Sequence, residues 1–228
     1  MKKLVVLTGA GISAESGIST FRDANGLWEG HDIMEVASPE GWKANPQLVT
    51  NFYNVRRAQL KTVVPNNAHT ILVELEKYYH VTIITQNVDD LHERAGSSNI
   101  IHLHGELNKV RPENNDNVIL NWEGDLCDTD TYKGAKLRPH IVWFGEAVPL
   151  LNKAAEIAME ADVFLIIGTS LQVYPAASLY EYVKQHCSII YIDNNPAEIA
   201  LNNKRIETIS NTASKGLELI KEKLIKMA

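Results

Sequence analysis

Short apolar runs that alternate with longer helix-like stretches constrain the fold of this chain more than any other feature. Six of these runs are rich in β-branched residues and have the length of buried strands, at residues 4–7, 81–85, 100–103, 141–144, 163–167 and 188–192. Helix-like stretches occur at residues 46–60, 68–79, 151–160, 175–186 and 214–227. The alternation predicts an α/β fold with a Rossmann-like, doubly wound parallel sheet.

Two insertions interrupt this alternation, the first at residues 30–45 and the second, which is polar, at residues 106–138. We expect them to pack together over the carboxyl edge of the sheet, where such folds bind ligands. The predicted Rossmann-like domain then comprises residues 1–29, 62–105 and 139–228. The predicted small module comprises residues 30–61 and 106–138.

Composition restricts the classes of partner. The chain has 22 Lys and Arg against 28 Asp and Glu, a net charge of -6, and this balance argues against nucleic acid or an anionic membrane as the partner. The sequence contains no run of about 18 apolar residues, which a membrane span would require. The first apolar run is shorter than the core of a signal peptide and is predicted to be a strand. Two cysteines, Cys127 and Cys187, are too few for a disulfide framework and favour a cytoplasmic setting. The oligomeric state is open, and the sequence is compatible with a monomer.

The turn after the first strand indicates a nucleotide site. Residues 9–14 match the pattern G-x-G-x-x-G/A, in which small residues let a pyrophosphate approach backbone N–H groups. Glycines after a strand also form simple turns, which is the alternative. The second strand that a dehydrogenase would place next, with an acidic residue about 20 positions on, is missing. Residues 17–28 instead read as a loop carrying Phe21, Arg22 and Asp23.

Two histidines lie at the end of the strand predicted at residues 100–103. His102 and His104 are two positions apart, so their side chains face the same side unless the strand ends between them. The alternatives are a structural role and a metal pair, but no acidic or cysteine partner stands at zinc-ligand spacing. A neutral imidazole accepts protons near neutral pH, which favours a proton-transfer role for His104.

Several short motifs occur together in one order along the chain. They are Gly9-Ala10-Gly11-Ile12-Ser13, Gly17-Ile18, Phe21-Arg22-Asp23, Gln86-Asn87-Val88-Asp89, His104-Gly105 and Gly168-Thr169-Ser170. This ordered set resembles the sirtuin family and spans nearly the whole chain. The resemblance implies an NAD-binding Rossmann domain, a small module, and an acyl-lysine protein or peptide entering between them. The implied reaction transfers the acyl group from lysine to ADP-ribose and releases nicotinamide.

The resemblance also implies roles for individual residues. His104 would be the general base, while Asn87 and Asp89 would orient a water and the ribose; no unusual pKa is expected for Asp89. The implied NAD-binding residues are Gly9, Ala10, Gly11, Ser13, Phe21, Arg22, Gln86, Asn87, Asp89, Gly168, Thr169, Ser170, Asn194 and Ala213. From local sequence alone, residues 86–89 would be a capped helix start, and residues 168–170 and 193–195 ordinary turns and caps.

Two further segments would bind the substrate. The segment with Val142, Phe144, Gly145 and Glu146 resembles the family segment that pairs with the substrate peptide, although local sequence alone indicates a buried strand. Tyr53 and Arg56 stand three apart on a predicted helix and offer a hydroxyl and a guanidinium to a carboxylate. They resemble the branch that removes succinyl and malonyl groups. The alternative is a solvated helix face.

The chain departs from the family at the metal site. Many sirtuins carry four cysteines as two CxxC pairs in the second insertion, whereas residues 106–138 contain only Cys127. We therefore expect no zinc and predict that packing alone stabilises this insertion. The residues expected to form its core are Leu120, Trp122, Leu126 and Tyr132.

Two other classes of function remain open at this stage. An NAD glycohydrolase or ADP-ribosyltransferase would use the same ribose chemistry, and the peptide-pairing segment argues against it. A module that binds NAD or acyl-lysine without turnover is the other alternative, and His104 argues against it.

Overall fold

The computed structural model describes residues 1–20 and 27–228. In chain order the strands of this part are β1 (Lys3–Thr8), β2 (Leu27–Trp28), β3 (His31–Asp32), β4 (His80–Thr85), β5 (Ile100–His102), β6 (Gly105–Pro112), β7 (Leu120–Asn121), β8 (Thr131–Tyr132), β9 (Ala135–Ile141), β10 (Val163–Ile167), β11 (Ser188–Asp193) and β12 (Ile206–Ser210). The α-helices are α1 (Gly11–Ala14), α2 (Ile33–Val36), α3 (Pro39–Ala44), α4 (Pro46–Leu60), α5 (Asn67–Leu75), α6 (Leu91–Ala95), α7 (Leu151–Met159), α8 (Glu198–Leu201) and α9 (Ala213–Met227). A 3-10 helix spans Ala176–Tyr182.

A six-stranded parallel sheet forms the larger part of the fold. Its strand order is β12-β11-β10-β1-β4-β5. When these six strands are numbered in chain order and read from the β5 edge, they have the Rossmann order 3-2-1-4-5-6. The direction of the order reverses between β1 and β10. The predicted Rossmann-like parallel sheet is confirmed. Ligands in such sheets bind outside the carboxyl ends of the strands at this point of reversal.

Both faces of the sheet are buried because successive side chains of a strand point to opposite sides. In β1, Leu4 and Val6 pack in the core shared with α5 and α9. Val5 and Leu7 pack in the core on the other face, with α7 and the 3-10 helix. This two-sided burial explains why β1 is an uninterrupted apolar run.

A separate four-stranded antiparallel sheet, in the order β7-β6-β9-β8, lies in the second insertion. Its small core contains Val110, Leu126 and Leu137. Leu120, Trp122 and Tyr132 pack against that core, so the apolar residues predicted to stabilise this insertion do so.

A third core joins the two insertions. Val36 and Trp42 from the first insertion pack with Phe52 and Tyr53 of α4. They also pack with Leu107 from the second insertion and with Ile141 and Trp143 beyond it. α4 begins where predicted, with Asn45 as its cap: the Asn45 Oδ1 atom accepts a hydrogen bond from Leu48 N at 3.0 Å.

Three predicted elements differ from the structure. Residues 141–144 are not a buried parallel strand: β9 ends at Ile141 and is antiparallel to β6. An apolar run indicates burial but not strand direction, and here the third core buries Ile141 and Trp143, whereas Phe144 is exposed. Residues 175–186 form only the 3-10 helix, and α5 ends at Leu75 rather than at residue 79.

β12 was not predicted. It is an edge strand, and its half-exposed residues include Glu207 and Thr208, which do not form an apolar run. Within the described part of the chain, no helix has both the length and the apolar character that crossing a bilayer requires.

Candidate active site

Glycines bring two loops together at the point where the strand order reverses. Gly9 N donates to Ile167 O at 3.0 Å, and Gly11 N donates to Gly168 O at 2.7 Å. A Cβ atom on Gly11 would lie 2.6 Å from the Gly168 Cα atom, and Gly168 itself has φ +63°. The glycines are therefore required because the turn after β1 and the turn after β10 touch backbone to backbone.

A hydrogen-bond network holds the loop between β4 and α6, residues 86–90, against the turn after β1. The Asn87 Nδ2 group donates to Gly9 O at 3.2 Å and to Ser13 Oγ at 3.1 Å. The Ser13 hydroxyl donates to Asp89 Oδ2 at 2.9 Å, and Leu91 N donates to Asp89 Oδ1 at 3.1 Å. Asn87, Ser13 and Asp89 are all buried, so this network fixes their side-chain positions.

Asp89 has a perturbed acidity, contrary to the expectation from sequence. Burial raises the pKa of its carboxyl group above the usual value, and the hydrogen bonds from Leu91 N and Ser13 Oγ lower it only in part. The sequence did not reveal this because burial depends on how the loop packs against α1.

His104 has the arrangement of a neutral base. Its Nδ1 atom lies 3.1 Å from the carbonyl oxygen of Gln86, which can only accept a hydrogen bond. Nδ1 therefore carries the proton, and Nε2 keeps its lone pair. Burial lowers the pKa of His104 below 6.5, and the bond to Gln86 O opposes this shift.

One cavity of about 630 Å³ joins most of the predicted site residues. The predicted residues that line it are Gly9, Ala10, Gly11, Gln86, Asn87, Asp89, His104, Gly168, Thr169, Ser170, Asn194, Ala213, Tyr53, Arg56, Val142, Phe144, Gly145 and Glu146. Ser13 is not among the lining residues and acts through its bonds to Asn87 and Asp89. Phe21 and Arg22, also predicted, lie outside the described residues.

Tyr53 and Arg56 lie at the end of the cavity formed by α4. Tyr53 is fully buried, and its hydroxyl accepts a hydrogen bond from Trp143 Nε1 at 3.0 Å. The Arg56 guanidinium lies over the Phe52 ring at 3.7 Å and donates to Phe52 O at 2.9 Å. Burial raises the pKa of the Tyr53 hydroxyl and lowers that of Arg56. This burial excludes a solvated helix face.

Sequence reasoning missed Glu29 and Trp143. A Glu29 carboxylate oxygen lies 3.7 Å from Arg56 Nη2, and the Trp143 ring stacks on Tyr53 with centroids 6.5 Å apart. Glu29 carries no motif, and Trp143 lies within the predicted substrate segment 142–146 without having been assigned a role of its own. Only the folded chain brings both residues to α4.

The segment from Val142 to Glu146 borders the cavity and is held by backbone bonds. Val142 N donates to His104 O at 2.9 Å, and Phe144 N donates to Ala37 O at 2.9 Å. The Glu146 carboxylate accepts from Arg138 Nη1 at 2.7 Å and from Trp143 N at 2.8 Å. Its side chain therefore fixes this segment, and the arginine bonds lower the pKa of Glu146 although burial opposes them.

The two cysteines do not come together as a metal-binding pair in the described part of the chain. Cys127 is exposed, and Cys187 is buried. Across residues 1–20 and 27–228, the ligand atoms that converge within 4.8 Å belong to Glu93, His102 and Glu106. The absence of zinc stays a prediction.

This geometry defines a class of protein: a Rossmann-type nucleotide-binding fold with a neutral histidine and a buried carboxylate in its crevice. The chain belongs to the Sir2 family, whose sequence model matches residues 9–175. A Helicobacter pylori protein named NAD-dependent protein deacylase is 60% identical over 229 residues, covering 100% of both chains.

Two solved structures share the fold. A Sir2 homolog–NAD complex has a TM-score of 0.88 and 40% identity, covering 99% of this chain and 90% of that one. A complex of Sir2 with a p53 peptide and NAD+ has a TM-score of 0.78 and 26% identity, covering 96% and 92%.

Proposed function

We propose that this protein is an NAD-dependent protein lysine deacylase with a preference for acidic acyl groups such as succinyl and malonyl. The observation that carries the proposal is a single cavity that contains His104 and the β4–α6 loop together with Tyr53 and Arg56. Proton-transfer groups and a carboxylate-binding pair thus face the same space. Membership of the Sir2 family supports the NAD-dependent deacylase part of the proposal.

The residues of the crevice fit NAD. The cavity lies at the reversal of the strand order and has the volume of a ligand site. The adenosine end would be held by Gly168, Ser170, Asn194 and Ala213. The nicotinamide and its ribose would be bound by Gln86, Asn87 and Asp89. When bound, NAD supplies the ADP-ribosyl group that accepts the acyl group, with loss of nicotinamide.

His104 would act as the general base. With its proton fixed on Nδ1 by Gln86 O, Nε2 can take a proton from a ribose hydroxyl. Asp89 would offset positive charge on the sugar, because its carboxylate lines the cavity in a buried environment. Asn87 would orient a water or the ribose, since its Nδ2 atom is fixed by Gly9 and Ser13.

The acidic-acyl preference rests on Arg56. Its side chain is only 11% exposed, so a carboxylate bound there would meet a cation in a partly dehydrated environment. Tyr53 can donate its hydroxyl proton to that carboxylate because its oxygen already accepts from Trp143. Glu29 shows that a carboxylate can approach this guanidinium.

The test compares succinyl and acetyl forms of one peptide by mass spectrometry, in wild type, Arg56→Met and Tyr53→Phe. Loss of a charged hydrogen bond removes about 1.5–3 kcal/mol, so we expect succinyl kcat/KM to fall about 10- to 100-fold in Arg56→Met. Acetyl kcat/KM should stay within about threefold. The matched control is Arg205→Met, an exposed arginine outside the cavity lining. Equal loss on both peptides would refute the acidic-acyl preference.

The other expected properties belong to the same proposal. We infer a protein or peptide substrate, which the Sir2 complex with a p53 peptide supports, and a cytoplasmic location, which the two free cysteines support. The net charge also supports the absence of nucleic acid and anionic membrane as partners.

A further inference from the structure

The two histidines at the end of β5, His102 within the strand and His104 just beyond it, contact successive carbonyl groups of the β4–α6 loop. His104 Nδ1 lies 3.1 Å from Gln86 O, and His102 Nδ1 lies 3.1 Å from Asn87 O. His102 has a second contact that gives it a different chemistry. Its Nε2 atom lies 2.7 Å from Glu93 Oε1, contributed by α6.

The hydrogen-bond partners of His102 determine its protonation. A carbonyl oxygen and an ionised carboxylate can only accept hydrogen bonds, so both ring nitrogens must donate. Only the imidazolium form carries both protons. The ring is 8% exposed, so water competes little for either bond.

The surrounding charges favour the same form. Glu93 and His92 face His102 from α6, Asp89 from the β4–α6 loop and Glu106 from β6. Burial alone would lower the pKa of His102, but the bond and charge of Glu93, with the charge of Glu106 and the Asn87 carbonyl, raise it above 6.5. Burial holds the pKa of His92 well below 6.5, so His92 stays neutral beside it.

The charge of His102 also acts on Asp89 in the candidate active site. It favours the ionised form of Asp89, whose pKa burial raises. Its bond to Asn87 O fixes the main chain of the residue whose side chain bonds Ser13. Because the folded-state pKa of His102 is raised, its contribution to stability is present at low pH and is lost as the pH rises through that pKa.

We propose that His102 is a positioning residue for deacylation: held by Glu93 as an imidazolium, it fixes the β4–α6 loop at Asn87 and places a positive charge that favours the carboxylate form of Asp89. His102 and His104 are two positions apart and thus have different roles: His102 is charged and orders the loop, whereas His104 is neutral and accepts a proton.

Glu93, His102 and Glu106 also have the donor set of a cation site, but their contacts favour the positioning role. The Lys109 ammonium group already bonds Glu106 Oε2 at 2.6 Å. His102 uses Nδ1 for Asn87 O and Nε2 for Glu93. The kinetic experiment therefore contains EDTA, so that no divalent cation contributes.

The kinetic test measures kcat/KM for NAD against pH in wild type, Glu93→Gln and Glu106→Gln. Glu93→Gln removes the carboxylate bonded to the ring, so the alkaline limb should move to lower pH and kcat/KM at pH 8 should fall about tenfold. Glu106→Gln removes the same charge from a residue that faces His102 without bonding it, and its shift should be smaller. His102→Gln keeps a donor for Asn87 O, so it should retain more activity than His102→Ala while losing this alkaline limb. Thermal unfolding of each variant separates a loosened loop from a misfolded chain.

The second arm is an NMR titration of wild-type protein labelled with 15N in histidine. Comparison with His102→Gln assigns the ring signals. We expect His102 to carry protons on both nitrogens at pH 7 and His104 on one. The kinetic arm rests on the proposed deacylase activity, whereas the NMR arm does not, so failure of one is distinguishable from failure of the other. A neutral His102 at pH 7, or an alkaline limb that Glu93→Gln does not move, would overturn the proposal.

Discussion

Replacing Arg57 by methionine should loosen the small module, because this buried arginine links α4 to the second insertion. Arg57 is 1% exposed. Its Nε atom donates to Leu107 O at 2.8 Å, and its Nη1 atom donates to Gly124 O at 3.1 Å and to Asn54 Oδ1 at 2.7 Å. Asn54 completes the link, because its side chain bonds both the N–H and the carbonyl of Leu126.

The size of the effect follows from the acceptors left behind. Methionine keeps the packing of the stem but leaves Leu107 O and Gly124 O without this donor. A buried acceptor without a partner, such as Leu107 O, costs about 1–3 kcal/mol, and Gly124 O costs less because it is only part-buried. Removing a cation whose pKa burial lowers offsets part of that loss. We therefore expect Arg57→Met to lower the free energy of unfolding by about 2–4 kcal/mol.

Urea unfolding monitored by tryptophan fluorescence and by circular dichroism is the suitable assay. The chain has four tryptophans, and Trp28, Trp42, Trp122 and Trp143 all lie in or against the two cores of the insertions. Fluorescence therefore reports on that region, and circular dichroism on the whole chain. The control, Arg205→Met, should stay within about 0.5 kcal/mol. A change below about 0.5 kcal/mol in Arg57→Met would refute the account of how this module is held together.

Three further outcomes are expected. Glu29→Gln should lower the KM for a succinyl peptide about two- to fivefold and leave the KM for the acetyl peptide unchanged. The reason is that it removes a carboxylate that competes with the succinyl group for Arg56. An equal change on both peptides would argue against this competition. The acid limb of the rate profile should lie below pH 6.5, because burial lowers the pKa of His104 and only its neutral form accepts a proton; a limb above 6.5 assigned to this residue would contradict that role. EDTA should leave the thermal unfolding midpoint unchanged, and a large decrease would show that the zinc-free expectation is wrong.

The sequence predicted the parts of the fold that are encoded by continuous patterns. The apolar runs of β1, β10 and β11 identified the central strands because both faces of the sheet are buried. α4 was predicted with its bounds because Asn45 and Pro46 mark its start. Strand direction at residues 141–144 was not encoded locally. The proposed domain boundaries stay a prediction, since a shared core joins the two insertions to Ile141 and Trp143.

The site was predicted as a set of residues but not as a network. Sequence order placed His104 and Asn87 in the same site, because both follow strands that end at one edge of the sheet. The Ser13 bridge from Asn87 to Asp89 could not be read from the sequence. The different protonation of His102 and His104 depends on Glu93, and only the packing of α6 brings that carboxylate to the ring.

The most direct test of the central claim is mass spectrometry of NAD and an acyl-lysine peptide incubated with wild-type protein and with His104→Ala. The account predicts peptide-dependent consumption of NAD, with nicotinamide and O-acyl-ADP-ribose formed in equal amounts. It also predicts loss of about 100-fold or more of this activity in the variant. NAD consumption that does not depend on the acylated peptide, or full deacylation by His104→Ala, would contradict it.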